Sequence, residues 1–361
     1  MPEKTNIAAL LPGVGKDLEL AAQPIPTPGP KDVLIRSHAI PINPVDRARQ
    51  LTGYTLKSFP AILGTDLAGV VEAIGSDVTD LKAGDRVLAT VDGIITGDKS
   101  REAFQTYTVA RASTTAKLPD SVSFVEGSTI GVAIVTAAMI FFDGFKFQIP
   151  GSEASADFRP LPTAGEAPIV VIWGGASNIG LVTIQLAKIL GFTVYATASQ
   201  QHHAKLQKLG ANVMVDYADA DAAVEHFVAA AKKAGKQILY AVDTINKLEK
   251  TTPFVQQALL KSAAATPSPA KAGLVYINRI EYGWDESIEA RFITATDVWE
   301  RRFDIGHWIF TSGNLTRWLA DGTFAPPPAR VLPGGLAALN EGLVLIKGGG
   351  VHGEKLVVEV E

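Results

Sequence analysis

The sequence predicts an α/β plus β protein, in which an antiparallel β domain is combined with a doubly wound parallel sheet. Its 361 residues are enough for about two domains at roughly 150 residues each. Residues 1–125 are rich in proline, glycine and β-branched residues, and their short apolar runs lie between turn-forming residues. From Ile169 onward, short apolar runs alternate with longer helical segments, a pattern typical of βαβ units.

Each predicted element follows from a local pattern. In the β domain, runs of apolar and β-branched residues bounded by turns predict strands at residues 33–36, 67–74 and 86–89. The proline-rich, polar residues 148–168 predict a linker without packed elements. The alternating part predicts strands at 169–173, 194–198, 213–215 and 238–243, and helices at 179–190, 203–209 and 222–234.

The last part of the chain is less regular. It predicts a strand at 274–277, a helix near 303–319 and, after three prolines at 326–328, a strand at 355–360. The return to β-structure indicates that both ends of the chain complete the first domain. The predicted division is 1–130 for the first part of the β domain, 131–310 for the α/β domain with its linker, and 311–361 for the return.

Composition excludes several function classes. The net charge is −4, without a block of basic residues, which argues against nucleic acid or an anionic membrane surface and favours a small-molecule partner. The chain has no cysteine, so disulfides, cysteine-ligated zinc, iron–sulfur clusters and thiol catalysis are excluded.

Apolar runs in the sequence are too short for a signal peptide or a membrane span. Ile7–Leu11 is shorter than a signal-peptide core, and Ile130–Phe142 falls short of the roughly 18 residues that a span needs. We therefore expect a soluble, cytoplasmic chain.

A glycine-rich turn follows the predicted strand 169–173. Gly175, Ser177 and Gly180 match the dinucleotide fingerprint G-x-G-x-x-G, with serine at the middle glycine. In this context a tight turn is expected at Gly175 and close packing of helix and strand at Gly180, so that helix N–H groups face a pyrophosphate. The alternative is a strand-to-helix turn of small residues that binds no ligand.

The next strand ends without an acid. In the fingerprint's usual setting an Asp or Glu about 20 residues on binds the ribose 2′-OH of NAD, whereas here Ser199 stands at that point, followed by His202 and Lys205. A carboxylate would repel a 2′-phosphate, and these side chains can hold one, so NADPH is favoured over NADH. The alternative to phosphate binding is a structural role. Lys205 would then be a solvated charge on a helix, and His202 an ordinary residue at the start of a helix.

Six short motifs follow one another along the chain: Asn43-Pro44-Val45-Asp46, Gly64-Thr65-Asp66-Leu67-Ala68-Gly69-Val70-Val71, Ala83-Gly84-Asp85-Arg86-Val87, Ala103-Phe104-Gln105-Thr106-Tyr107, Val135-Thr136-Ala137-Ala138 and Gly353-Glu354-Lys355-Leu356-Val357-Val358. In this order they resemble the medium-chain dehydrogenase/reductase superfamily, in its zinc-independent quinone and enoyl reductase branch, and the similarity runs from about residue 5 to 361. Zinc-dependent relatives carry a Cys ligand in the first motif and His-Glu in place of Thr65-Asp66. This chain has neither, so the resemblance implies a metal-free site.

The linker and the turn look most like fungal members, among them trans-acting enoyl reductases that serve polyketide synthases. The resemblance implies a GroES-like β domain with an inserted Rossmann domain, and it assigns cofactor contacts by position. Asn43 and Thr136 would approach the nicotinamide, Ser177 and Asn178 the pyrophosphate, Ser199 and His202 the 2′-phosphate, Tyr217 the adenosine, and Val351, His352 and Lys355 the far side of the nicotinamide; Asp46, Gly175 and Ile179 complete the set.

Some of these residues have purely structural alternatives. Asn43 before Pro44 could shape a turn, Asp66 could be a satisfied buried carboxylate, and Tyr217 could be a core aromatic. Some fungal relatives have a Lys where this chain has Ala48, so a lysine-assisted mechanism through that position does not carry over.

The function that these observations favour is a metal-free, NADPH-dependent reductase that transfers hydride to an activated C=C bond in an enone, quinone or enoyl thioester. The alternative is an NADPH-binding structural or redox-sensing protein with little turnover. No catalytic residue or proton donor follows from the sequence. The resemblance further implies a homodimer, with Gly273–Ile277 as the candidate edge strand, and a polyketide synthase partner.

Overall fold

The computed structural model describes residues 5–153, 155–163, 165, 167–347, 351 and 353–360. It divides into two units: unit 1 comprises Met1–Val132 and Thr296–Glu361, and unit 2 comprises Ala133–Ala295. Unit 2 is therefore inserted in the sequence of unit 1.

The first part of unit 1 is mainly antiparallel β-structure. Its longest strand, Asp32–Pro41, has fully buried side chains at Val33, Ile35 and Ile40. The strands are β1 Asn6–Leu11, β2 Glu19–Gln23, β3 Asp32–Pro41, β4 Ala61–Ile62, β5 Asp66–Ile74, β6 Arg86–Thr90, β7 Tyr107–Arg111 and β8 Thr115–Lys117, and the helices are α1 Pro44–Thr52, α2 Gly93–Thr96, α3 Phe124–Ser128 and α4 Gly131–Met139, the last crossing into unit 2.

Unit 2 contains a six-stranded parallel sheet in the order β11-β10-β9-β12-β13-β14. Every residue of its central strand β9 is buried, as expected for a strand covered on both faces. Its elements are β9 Ile169–Trp173, α5 Asn178–Ile189, β10 Thr193–Thr197, α6 His203–Leu209, β11 Val213–Val215, α7 Ala220–Lys233, β12 Ile238–Asp243, α8 Thr252–Ala265, β13 Ala272–Tyr276 and β14 Ile288–Phe292.

The chain then returns to unit 1. The final strand, Lys355–Glu359, lies between Ala329–Leu332, to which it is parallel, and β3, to which it is antiparallel. The elements are α9 Asp297–Glu300, α10 Phe303–Gly306, α11 Asn314–Ala320, β15 Ala329–Leu332, α12 Leu339–Lys347 and β16 Lys355–Glu359. The predicted fold class, α/β plus β with a doubly wound parallel sheet, is confirmed.

Two details differ from the sequence prediction. Residues 296–310 group with unit 1 rather than with the α/β domain, and the Trp299 indole N–H donates to Thr114 Oγ1 at 3.4 Å within that unit. The predicted helix at 303–319 is interrupted, because Gly313 adopts φ +77° between a π-helical turn and α11.

The predicted edge strand, Gly273–Ile277, is internal to the described sheet. Its strand β13 pairs with β12 on one side and with β14 on the other, so β14 is the end strand. The linker 148–168 has no helix or strand in its described residues, and Arg159 ties it to unit 2 through an ion pair with Glu289 at 2.8 Å.

One continuous helical stretch, Phe124–Gly144, is apolar and long enough to cross a bilayer. The protein itself buries 78% of its most apolar window. Burial of that extent is typical of a core helix.

Candidate cofactor site

The turn after β9 begins with a left-handed glycine. Gly174 has φ +87°, and a Cβ there would lie 2.4 Å from Ile245 Cγ1 and 2.8 Å from Thr244 Oγ1. The Ser177 N–H donates to the Gly174 carbonyl at 2.9 Å, so the tight turn predicted at Gly175 spans Gly174–Ser177, with the left-handed φ at Gly174 and not at Gly175. The Gly174 N–H donates to the Thr197 hydroxyl and the Gly175 N–H to the Thr197 carbonyl, which holds the turn against the end of β10.

Gly180 allows the first turn of α5 to approach this glycine pair. A Cβ at Gly180 would lie 2.3 Å from the Gly174 carbonyl oxygen and 2.8 Å from Gly175 Cα, both backbone atoms that cannot move aside easily. The predicted close packing at Gly180 thus exists, with the turn itself as its partner.

Ser177 is the N-cap of α5 as well as a turn residue. Its Oγ accepts the Gly180 N–H at 2.9 Å and lies 3.0 Å from Thr244 Oγ1. The Thr244 hydroxyl donates to the Trp173 carbonyl at 2.8 Å, so the Ser177 hydroxyl donates to Thr244. Sequence reasoning assigned Ser177 to the pyrophosphate, in place of the fingerprint's middle glycine, and did not predict its role as an N-cap, although serine directly before a helix is a strong N-cap signal.

The first residues of α5, Asn178 and Ile179, are half-buried. The first four N–H groups of a helix have no partner within the helix, and the positive end of its dipole favours an anion. The first turn of α5 thus meets the requirements of a pyrophosphate site.

The segment after β10 collects polar side chains. Ser199 precedes a short 3₁₀ helix, Gln200–His202, and is half-buried, as are His202 and Lys205. The ring of the next residue, His203, is fixed by a 2.8 Å contact between its Nε2 and the Ala198 carbonyl oxygen. The structure therefore presents Ser199, His202 and Lys205 on one short stretch at the carboxyl end of the sheet.

A carboxylate that sequence reasoning missed also lies at this point. Asp216, directly after β11, accepts the Gln200 N–H on Oδ2 at 3.1 Å and the Ala218 N–H on Oδ1 at 2.9 Å. The parallel register of the two strands, with Thr197 opposite Val215, brings their following residues side by side. The next residue, Tyr217, is 50% exposed, which rules out its core-aromatic alternative.

The remaining predicted contacts are in other parts of the chain. Thr136 is on α4 and 4% exposed, and Val351 is half-buried and packs against the core of unit 1. His352 lies outside the described residues.

A buried polar cluster in unit 1 contains Asn43, Asp46, Thr65, Asp66 and Lys355. The Asn43 amide donates to Thr65 Oγ1 and to Asp66 Oδ2, both at 2.9 Å, and its Oδ1 accepts a hydrogen bond from the Lys355 ammonium. Both amide hydrogens of Asn43 are thus used within the protein. Asn43 is also the N-cap of α1, so its turn-shaping alternative holds alongside this wider role.

Both carboxylates of the polar cluster are buried. Asp46, 0% exposed, accepts the Asn43 N–H at 2.7 Å, and burial raises the pKa of Asp46 to about 6. Asp66 accepts the Val132 N–H at 2.8 Å, and burial raises its pKa, opposed by Lys355. Because Asp46 has no exposed atom, its predicted cofactor contact is not available. Its carboxylate instead caps the N-terminus of α1 by accepting the Asn43 N–H.

Lys355 supplies the positive charge of the polar cluster. Burial lowers its pKa, while Asp66 and Asp46 act in the opposite direction. An ammonium next to these carboxylates would repel a divalent cation, and the described residues contain no group of three or more His, Asp or Glu arranged to hold a metal. The donors present do not fit zinc.

Comparisons with known proteins agree with this architecture. The family of alcohol dehydrogenase GroES-like domains matches residues 29–120, and the zinc-binding dehydrogenase family matches residues 178–259. The dehydrogenase orsE of Emericella nidulans is 31% identical over 373 residues, which cover 99% of this chain and 99% of the relative. The trans-enoyl reductase tndF of Aspergillus flavipes is 38% identical over 234 residues, 64% of this chain and 65% of the relative. The crystal structure of the CurK enoyl reductase has the same fold, with a TM-score of 0.74 at 19% identity and coverage of 99% and 100%.

The inserted parallel sheet and its glycine turn, together with these matches, define an oxidoreductase with a nicotinamide cofactor. The chain belongs to the medium-chain dehydrogenase/reductase superfamily.

Proposed function

We propose that this chain is an NADPH-dependent reductase that transfers hydride, without a metal, to an activated C=C bond in an enone, quinone or enoyl thioester. One observation carries the cofactor assignment: the β9 turn leads into α5, and the segment that follows the neighbouring strand β10 begins with Ala198 and Ser199 instead of an acid. The trans-enoyl reductase among the relatives supports the C=C acceptor.

Each part of the site has a role in this proposal. The first turn of α5 binds the pyrophosphate, while Ser199, His202 and Lys205 hold the 2′-phosphate. Bound NADPH would supply the hydride. The protein then has to orient the acceptor and exclude water.

Lys355 is central to the metal-free part of the proposal. Its ammonium lies among the positions where zinc-dependent relatives keep their ligands, and it balances Asp66 and Asp46 without an added cation. Turnover is therefore expected to persist after exhaustive chelation. Loss of turnover that added zinc alone restores would contradict this part.

Cofactor titration tests the proposal directly. The dissociation constant for NADPH should be at least about tenfold lower than that for NADH, or about 1.4 kcal/mol. Ser199→Asp should reverse the preference, because a carboxylate accepts the 2′-OH and repels the phosphate. Equal affinities for both cofactors in the wild type would refute the NADPH assignment.

The acceptor is tested by a screen of quinones, short enones and enoyl thioesters, with NADPH oxidation followed by absorbance. Rapid oxidation with one class identifies the acceptor. Tight NADPH binding without turnover on any class would favour the alternative, a structural or redox-sensing protein.

The proposal extends to location and partners. A cytoplasmic enzyme acting on an enoyl thioester would receive its substrate from a polyketide synthase, and a homodimer would form through the end strand β14. Co-purification with a synthase tests the first of these, and light scattering tests the second.

A further inference from the structure

We propose that Asp216 is a cofactor-specificity residue, whose carboxylate weakens binding of a 2′-phosphorylated cofactor and favours a free ribose 2′-OH. The inference rests on the proposed nicotinamide site at the β9 turn. In the usual fingerprint, the acid that contacts the ribose 2′-OH lies at the end of the second strand of the sheet, here β10. The inference assigns that role to a residue at the end of the third strand, β11.

The position of the carboxylate comes from strand pairing. Thr197 of β10 lies opposite Val215 of β11, and the Ala198 N–H donates to the Val215 carbonyl at 3.0 Å. Both strands therefore end at the same edge of the sheet, where a dinucleotide's ribose is bound in this class of fold. Asp216 follows β11 directly, and Ser199 follows β10 after one intervening residue, Ala198.

Hydrogen bonds then fix the carboxylate toward the β10 end. Asp216 Oδ2 accepts the N–H of Gln200, the residue after Ser199, at 3.1 Å. Asp216 Oδ1 accepts the Ala218 N–H at 2.9 Å, which closes the turn before Tyr217. With both oxygens held by backbone amides, the side chain is oriented rather than free in solvent, and it is half-buried.

The electrostatic consequence has opposite signs for the two cofactors. A carboxylate next to the residue after Ser199 repels the phosphate of NADPH, while it can accept a hydrogen bond from the 2′-OH of NADH. His202 and Lys205 act in the other direction. The site thus combines groups that favour phosphate with one that opposes it, and discrimination is smaller than Ser199 alone would give.

The experiment compares Asp216→Asn with a matched control, Asp219→Asn. Asp219 is exposed, belongs to the same loop and caps α7 by accepting the Ala222 N–H, a role that asparagine fulfils equally well. The dissociation constants of NADPH and NADH are measured for each protein at one fixed salt concentration. Asp216→Asn should bind NADPH about fivefold more tightly, without tighter binding of NADH, and Asp219→Asn should leave the ratio unchanged.

A second neutral variant, Asp216→Ser, is measured in the same way, and thermal melting checks that both variants fold. The dissociation constants of 2′,5′-ADP and 5′-AMP are also compared, because their ratio measures discrimination for the 2′-phosphate without the nicotinamide. An unchanged ratio in both variants, or an equal change in Asp219→Asn, overturns the inference. If the wild type binds neither cofactor, the proposed function fails; if Ser199→Asp reverses the preference but Asp216→Asn does nothing, only this inference fails.

Discussion

The Ser177 side chain makes two hydrogen bonds that connect the turn to its surroundings. Its hydroxyl accepts from Gly180 and donates to Thr244, so it joins the start of α5 to the residue that follows β12. Thr244 also donates to the Trp173 carbonyl, so these hydrogen bonds connect the end of β9, the start of α5 and the residue after β12.

Two substitutions of Ser177 separate its capping role from the place beside the pyrophosphate that we propose for it. Ser177→Ala should lower the free energy of unfolding by about 1 kcal/mol, because a helix cap is lost. Ser177→Leu should do the same and also weaken NADPH binding about 100-fold or more, because its side chain enters the phosphate path. Denaturant titration and cofactor titration measure the two effects. If Ser177→Leu binds NADPH as tightly as Ser177→Ala does, the turn is not the pyrophosphate site.

Sequence reasoning found the residues of the turn because the fingerprint spaces them within one short segment. It missed Asp216, since that residue reaches Gln200 through the pairing of β10 with β11. Lys355 was named as a cofactor-side residue, but its hydrogen bond to Asn43, which joins residues more than 300 positions apart, was not predicted. Contacts made by tertiary pairing leave no local spacing to read.

At the scale of elements, the packing of α5 against its turn depends on the missing side chain at Gly180. Gly180→Ala should lower the free energy of unfolding by about 1–3 kcal/mol, because the new Cβ meets backbone atoms of Gly174 and Gly175. Gly283→Ala is the control, since a Cβ there has nothing within 4 Å and the backbone is not left-handed. Chemical denaturation of both variants measures the difference, and equal stabilities would contradict the tight contact.

The strands of unit 2 differ in how well their sequences predict them. Strands buried on both faces, such as β9 and β12, are nearly continuous apolar runs and were predicted. β14 was missed because Glu289 and Arg291 interrupt its apolar character, which suits a strand at the end of a sheet. The break at Gly313 was missed because the apolar residues around it continue a helical pattern.

At the scale of the whole molecule, the buried polar cluster of unit 1 makes folding stability depend on pH. The pKa of Asp46 is raised from its ordinary 3.8 to about 6, because the carboxyl is fully buried. The folded state therefore binds the proton more tightly than the unfolded state does. The stability this contributes is present below about pH 4 and is lost as the pH rises through about 6.

Asp46→Asn removes this titration. Relative to the wild type, its free energy of unfolding should increase between pH 4 and pH 7 by about 2–3 kcal/mol. Urea unfolding across that range measures the change, with Asp80→Asn, at an exposed carboxylate, as the control. Parallel pH profiles for the wild type and Asp46→Asn would show that Asp46 titrates normally in the folded protein.

The placement of β16 between β15 and β3 affects the order in which the nascent chain folds. Unit 2 is continuous, so its parallel sheet has all its strands once Ala295 has left the ribosome. The sheet of unit 1 is complete only once Lys355–Glu359 has been synthesised, and until then residues 39–41 of β3 have no strand partner along one side. An open strand edge of this kind is a site for mispairing with another chain, which makes the interval before β16 emerges the aggregation-sensitive stage of biosynthesis.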